Sequence, residues 1–189
     1  MPYRNLAIAK YGAGDTAGAV ATYEAGIKAA PTEPTLVAEL AQLYQKQGRI
    51  DAAIASYDSW YQQNPRAPVV ANNLAMLLVT YKKDRASLDR ARDLTNAFAA
   101  STDSNLLDTN GWVHLKRSEY TEALSVLERA ASLAPDSKEI RYHLGMAELR
   151  LGQTDRARSD LETALSGSAK FFGADDARTA LASLKSRSG

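Results

Sequence analysis

The sequence predicts an all-α chain: five helix–turn–helix units stacked in a row, closed by one further helix. Three observations carry this expectation. The pair Leu6-Ala7 recurs as Leu40-Ala41, Leu74-Ala75, Asn110-Gly111 and Leu144-Gly145, at intervals of 34, 34, 36 and 34 residues. A second small residue follows each pair in phase: Ala19, Ala53, Ala91, Ala123 and Ala157. Pro31, Pro65 and Pro135 close three of the units at the same point. A fixed period of this length means stacked supersecondary units, none of which can bury its apolar face alone.

The units run approximately 1–33, 34–67, 68–103, 104–137 and 138–171, and a capping helix at 173–187 completes a single domain, 1–189. In the second unit Leu36, Leu40, Leu43 and Tyr44 recur at helical spacing, and Gly48 stops that helix. Ala52, Ala53, Ile54, Tyr57 and Trp60 mark the partner helix, which ends before Pro65. Pro34 suits a first helical turn, where a missing N–H costs nothing. The small in-phase residues let two backbones approach, and Tyr23, Tyr57, Leu127 and Leu161 fill the gaps between units. The third unit carries four extra residues between Leu78 and Leu88. Four residues is about one helical turn, so the expectation is a longer first helix, with the polar run Lys82–Arg85 at the rim. Asp136 and Glu139 have the spacing of a capping box for the fifth unit. Asp175 and Asp176 open the last helix and Lys185 and Arg187 end it, complementing its dipole. The first helix has no such cover. Met1 falls near the second position of a repeat, which predicts a piece of a longer array or a helix that packs on something else. Leu6, Ile8 and Tyr11 are then expected to drive self-association or fraying.

Lys and Arg total 23 and Asp and Glu total 22. A nearly neutral chain gives no general signal for nucleic acid or anionic membrane. No apolar run approaches the roughly 18 residues that span a bilayer, and the start enters a helix pattern with no signal peptide. Cysteine is absent, which excludes disulfides and thiolate metal sites and fits cytoplasm and periplasm equally.

The in-phase pattern of Leu-Ala or Leu-Gly, Tyr, Ala, a large residue, Ala and Pro resembles the tetratricopeptide repeat family over nearly the whole chain. The resemblance implies a right-handed α-solenoid that binds a protein or peptide segment on the concave face made by its first helices. It therefore implies a non-enzymatic interaction scaffold without cofactors. The carboxylate clamp of eukaryotic chaperone-type repeats is absent, since the second unit offers Ala38 and Glu39. The strings Asn72-Asn73-Leu74-Ala75, Leu107-Asp108-Thr109-Asn110-Gly111-Trp112-Val113 and Ile140-Arg141-Tyr142-His143-Leu144-Gly145 are similar to C-terminal repeats of long bacterial members. These include proteins linked to exopolysaccharide export and to the PEP-CTERM sorting system. Phe171-Phe172 before an Ala/Leu-rich helix also resembles their ends. Two other readings stand beside the scaffold: a self-assembly module joined through the uncovered first helix, and a regulatory segment of a larger bacterial enzyme or export protein.

No catalytic or metal constellation emerges. His114 sits where other units place a packing aromatic. His143 comes near Asp108 across neighbouring first helices, a pairing that can orient a base, but no nucleophile accompanies it and two histidines do not make a zinc site. Trp60 reads as core filling beside Gly26 and Ala30. The register instead selects a peptide groove: Gln42 with Gln45 and Lys46; Asn72, Asn73 and Met76; Asp108, Thr109 and Trp112 with Lys116; and Tyr142, His143, Met146 and Arg150. Its amides suit a peptide backbone, and its aromatics and methionines suit a binding surface. For Trp112 and Met146, packing between helices remains the competing reading.

Overall fold

Alternating helix formers and stop signals are resolved into helices by the computed structural model, which describes residues 2–167 and 170–186. Among the described residues there are eleven α-helices, one 3-10 helix and no strand. Their order is α1 (Pro2–Gly12), α2 (Thr16–Ala29), α3 (Pro34–Lys46), α4 (Ile50–Gln63), α5 (Pro68–Tyr81), α6 (Arg85–Thr95), the 3-10 turn Asn96–Ala100, α7 (Ser104–Lys116), α8 (Tyr120–Leu133), α9 (Lys138–Arg150), α10 (Thr154–Ala164) and α11 (Ala174–Ser186). The chain divides into two compact units, Met1–Ser87 and Leu88–Gly189.

Several starts and stops have a local cause. Pro34 and Pro68 occupy first turns. Side-chain oxygens of Asp15 and Asp103 accept from Gly18 and Asn105 backbone N–H groups, each at 2.8 Å. The turns within repeats close alike: backbone N–H groups of Arg49, Glu119 and Gln153 donate five residues back to Tyr44, His114 and Glu148 carbonyls. The residue before each donor takes a left-handed φ. It is glycine at 48 and 152, but at 118 a serine stands at φ 65° and carries the strain that glycine avoids.

In the first unit α1 packs on α2, α2 on α3, α3 on α4 and α4 on α5. In the second, α7 packs on α8, α8 on α9, α9 on α10 and α10 on α11. The in-phase alanines 7, 19, 41, 53, 75, 91, 123 and 157 are fully buried. At Gly111 a methyl would meet Leu127 Cγ at 2.5 Å, so close helix approach decides the residue there. Asn110, in phase with the buried leucines, is itself buried, and its Nδ2 donates to the Thr95 carbonyl at 3.0 Å.

Two local expectations need correction. Only one of the four extra residues of the third unit lengthens its first helix, since α5 has 14 residues against 13 in α3. The turn 82–84 is as long as its counterpart 47–49, and the other three enter the start of α6, where Ala91 is the seventh residue while its in-phase Ala53 is the fourth of α4; Asp84 accepts from Ser87 N–H at 2.9 Å and so caps this added turn. The partner helix is correspondingly broken into α6 and the 3-10 turn. The fifth unit is not opened by an Asp136–Glu139 box; Ser137 is the cap and accepts from Ile140 N–H at 3.4 Å.

The last helix packs on α10 and α9, with Ala177, Ala180 and Leu184 buried. Arg187, expected at its end, lies outside the described residues, as does Met1. Gly173 before it has φ +97°, and the Tyr142 ring stands where its Cβ would be. Gly173→Ala should cost about 2 kcal/mol and unseat α11. Urea unfolding, with amide exchange read in α11, checks this.

Candidate functional site

The first helices present the candidate residues, and exposure sorts them. In the first unit α1 brings Ile8 and Tyr11 beside Gln42, Leu43 and Lys46 of α3, enclosing a cleft of about 230 Å³ with Tyr23 and Glu39 also in its lining. Ile8 is 46% and Tyr11 42% exposed. Lys46 Nζ sits 5.7 Å from the Tyr11 ring centre. Glu39 is already committed: one oxygen accepts from Arg4 Nε at 2.6 Å, the other from the Tyr23 hydroxyl at 3.1 Å. Burial, reinforced by that carboxylate, pushes Tyr23 up to about 12. The exposed Gln42 amide is thus the polar group at hand for a ligand backbone. On α5, Asn72, Asn73 and Met76 are half-buried. Asn73 Nδ2 donates to the Tyr57 hydroxyl at 3.2 Å.

In the second unit the expected groove residues are packed. Asp108, Thr109, Trp112, Tyr142 and His143 are all buried, Met146 is half-buried and Arg150 exposed. Asp108 Oδ1 lies 2.8 Å from His143 Nδ1. This pair has the same sequence separation, 35, as Arg4 and Glu39, so both units bridge neighbouring first helices at one register position. The His143 ring stacks on Trp112 with centres 3.9 Å apart, Tyr142 tilts against Trp112 at 5.5 Å, and Lys116 Nζ lies 4.2 Å from the Trp112 ring centre. Tyr142 also meets Phe171 at 5.7 Å. Burial, with Asp176 of α11 as charge and hydrogen-bond partner, pushes Tyr142 up to about 12. The His143–Asp108 pair is sealed under aromatic rings, so its chemistry is structural: each group satisfies the other away from water. His114, half-buried, is held by Glu119, with Nδ1 2.7 Å from Oε2.

One notable group escaped sequence reasoning. Glu148 on α9 is fully buried. Burial first, then the nearby Asp160 carboxylate, pushes it up to about 7. Arg156 Nε comes within 2.9 Å of Oε1 without hydrogen-bond geometry, and Arg156 also pairs with Glu128 at 2.6 Å. Its signal was register: position 148 is in phase with His114 and Tyr44, where the repeat expects a packing ring.

Family models of the tetratricopeptide repeat match residues 10–77 and 109–170, together more than half of the chain. The chain belongs to the tetratricopeptide repeat family. It is similar to Protein FlbA of Caulobacter vibrioides, with 25% identity over 166 residues, which are 87% of this chain and 27% of that protein. The chain thus spans about a quarter of that relative. A thermophilic tetratricopeptide repeat protein of Thermus thermophilus superposes with TM-score 0.67 at 23% identity, covering 97% of both chains. MamA of Desulfovibrio magneticus superposes with TM-score 0.68 at 16% identity, covering 86% of this chain and 90% of that one. Those likenesses show the all-α tetratricopeptide solenoid class expected from sequence. Among the described residues no helix is long and apolar enough to cross a membrane.

Proposed function

We propose that this tetratricopeptide repeat chain is a non-enzymatic protein-interaction scaffold that holds a peptide segment in the cleft between α1 and α3. The observation that carries the reading is the cleft itself: exposed Ile8 and Tyr11 form an apolar wall, and the exposed Gln42 amide stands opposite. Apolar anchors supply most of the affinity in such contacts, and an amide fixes the backbone. Lys46, exposed, would steer an acidic ligand chiefly through its association rate. The half-buried Asn72, Asn73 and Met76 of α5 would act as secondary contacts. The proposal extends to a bacterial setting, supported by the likeness to FlbA. It extends further to the export- or sorting-linked proteins whose C-terminal repeats residues 107–113 and 140–145 resemble.

Self-association through α1 is a second reading, favoured by one comparison. Leu6 is 51% exposed, whereas the in-phase Leu40, Leu74 and Leu144 are at most 3% exposed. One experiment separates the two. A random peptide display library is selected on the immobilised full chain, and the best peptide is titrated against the wild type, Ile8→Asp and Leu6→Glu. The scaffold reading expects Ile8→Asp to weaken the peptide about tenfold or more with an unchanged unfolding midpoint, while Leu6→Glu binds normally. No selected peptide, together with dimers by light scattering that Leu6→Glu dissolves, replaces it with self-assembly.

A further inference from the structure

The scaffold cleft lies between first helices, yet a wider opening in the first unit lies between second helices. A cleft of about 650 Å³ separates α2 from α4, with Ile27, Leu40 and Trp60 as apolar surface. Trp60 also walls an adjoining cleft of about 350 Å³ that carries Arg66. The tryptophan is an anomaly of the repeat. Its in-phase partners are Gly26, Ala130 and Ala164 on second helices and the buried Phe98 in the third unit, and at Gly26 an added methyl would already meet Tyr3 Cβ at 2.7 Å. A small residue or a plain hydrocarbon ring suffices for the stacking, so the indole N–H is what the repeat does not demand. It is 4% exposed, and its Nε1–H has no hydrogen-bond partner among the described residues. A buried donor left unpaired is unfavourable and is usually satisfied by something.

Cations outnumber carboxylates around the ring, two to one. Lys28 lines the larger cleft and Arg66 the smaller, and both are exposed. Neither forms an ion pair among the described residues. The acidic group in the lining, Glu24, accepts from the Tyr44 hydroxyl at 3.3 Å. The surface therefore offers an apolar floor, two cations without an ion-pair partner among the described residues, one carboxylate held by Tyr44 and an unsatisfied donor, and the balance favours a ligand of opposite character: apolar side chains next to carboxylates, with carbonyl oxygens to accept. We infer that the paired clefts around Trp60, between α2 and α4, bind a short acidic peptide segment, as a second site independent of the α1–α3 cleft. Leucine-like side chains rest on Ile27, Leu40 and the indole, carboxylates face Lys28 and Arg66, and a peptide carbonyl accepts from Trp60 Nε1–H.

The chain has two tryptophans, which makes the indole N–H a direct reporter. The full chain is labelled with ¹⁵N at the indole nitrogens, Trp60 is assigned with Trp60→Phe, and a blocked peptide of alternating leucine and glutamate is titrated. The expected result is a saturable shift of the Trp60 indole resonance with the Trp112 resonance unmoved. A leucine–lysine peptide should give no shift, and Lys28→Glu with Arg66→Glu should weaken binding roughly tenfold while both tryptophan resonances keep their folded dispersion. Ile8→Asp should leave the titration unchanged, so failure of the α1–α3 reading does not touch this one. The inference is overturned by no Trp60 shift, by an equal shift with the lysine peptide, by indifference to the double charge reversal, or by sensitivity to Ile8→Asp. It is equally overturned if the Trp60 resonance moves with protein concentration alone, which would make a second copy the occupant.

Discussion

Trp112→Ala is expected to cost roughly 3–5 kcal/mol of stability, as for other buried tryptophans. The first-helix register leaves two roles open for this residue, ligand anchor or core, and the two give opposite results. An anchor would be exposed, and its loss would lower affinity with little effect on unfolding. Trp112 is only 4% exposed and is stacked face to face on His143 at 3.9 Å. Removing it leaves a cavity against Tyr142 and His143, forfeits the ring–ring attraction, and opens the Asp108–His143 bond to water. Lys116 loses the ring beneath its ammonium, a smaller effect at an exposed site. Urea unfolding checks the magnitude, and amide exchange should quicken first in α7 and α9, which supply the four groups. Trp112→Phe should retain much of the packing and cost less. A Trp112→Ala protein with an unchanged midpoint would return the residue to the ligand surface.

The contrast between Trp112 and Ala41 shows what a sequence can disclose. Ala41 and its in-phase equivalents are legible because backbone approach admits only a small side chain; the same constraint puts glycine at 111 against Leu127. Such requirements repeat with every unit and so declare themselves. The fate of Trp112 depends on its particular neighbours. Register places it on a first-helix face, but only the His143 and Tyr142 rings, one repeat further on, close that face over it. The same limit applied to the third unit. Helical periodicity allowed the four extra residues to extend α5, whereas one local event, Asp84 capping Ser87, starts α6 early and places three of them in its first turn. The α1–α3 cleft was half-legible: Gln42 came from register, while Ile8 and Tyr11 read as uncovered helix surface, and only the fold places all three in the lining of one cleft.

Glu148 is the least legible residue, and its protonation makes the second large prediction. A lone glutamate in a helix reads as solvent-facing, yet this one is fully buried beside Asp160. Its ordinary value, 4.5, rises to about 7 in the fold, through burial first and the Asp160 charge second, with Arg156 opposing and Glu128 adding. Arg141 engages Asp160 at 2.8 Å and so blunts that repulsion. The sign follows from the two states. Below pH 4.5 the carboxyl is protonated in both folded and unfolded chains, and its stabilising contribution is fully present. Between 4.5 and 7 the unfolded chain gives up its proton while the folded chain keeps it, so stability falls as pH rises. Above 7 the loss is complete and constant. Each tenfold gain in proton affinity on folding corresponds to about 1.4 kcal/mol. Discounted for the screening that Arg156 supplies, the loss is on the order of 1–3 kcal/mol. The urea midpoint of the wild type should therefore rise between pH 8 and pH 5.5. Glu148→Gln keeps the shape, removes the proton and leaves Arg156 its Glu128 partner, so it should be the more stable protein at pH 8 and show a flatter profile over the same range. A profile identical to wild type would mean that Glu148 ionises in the fold as freely as it does in water.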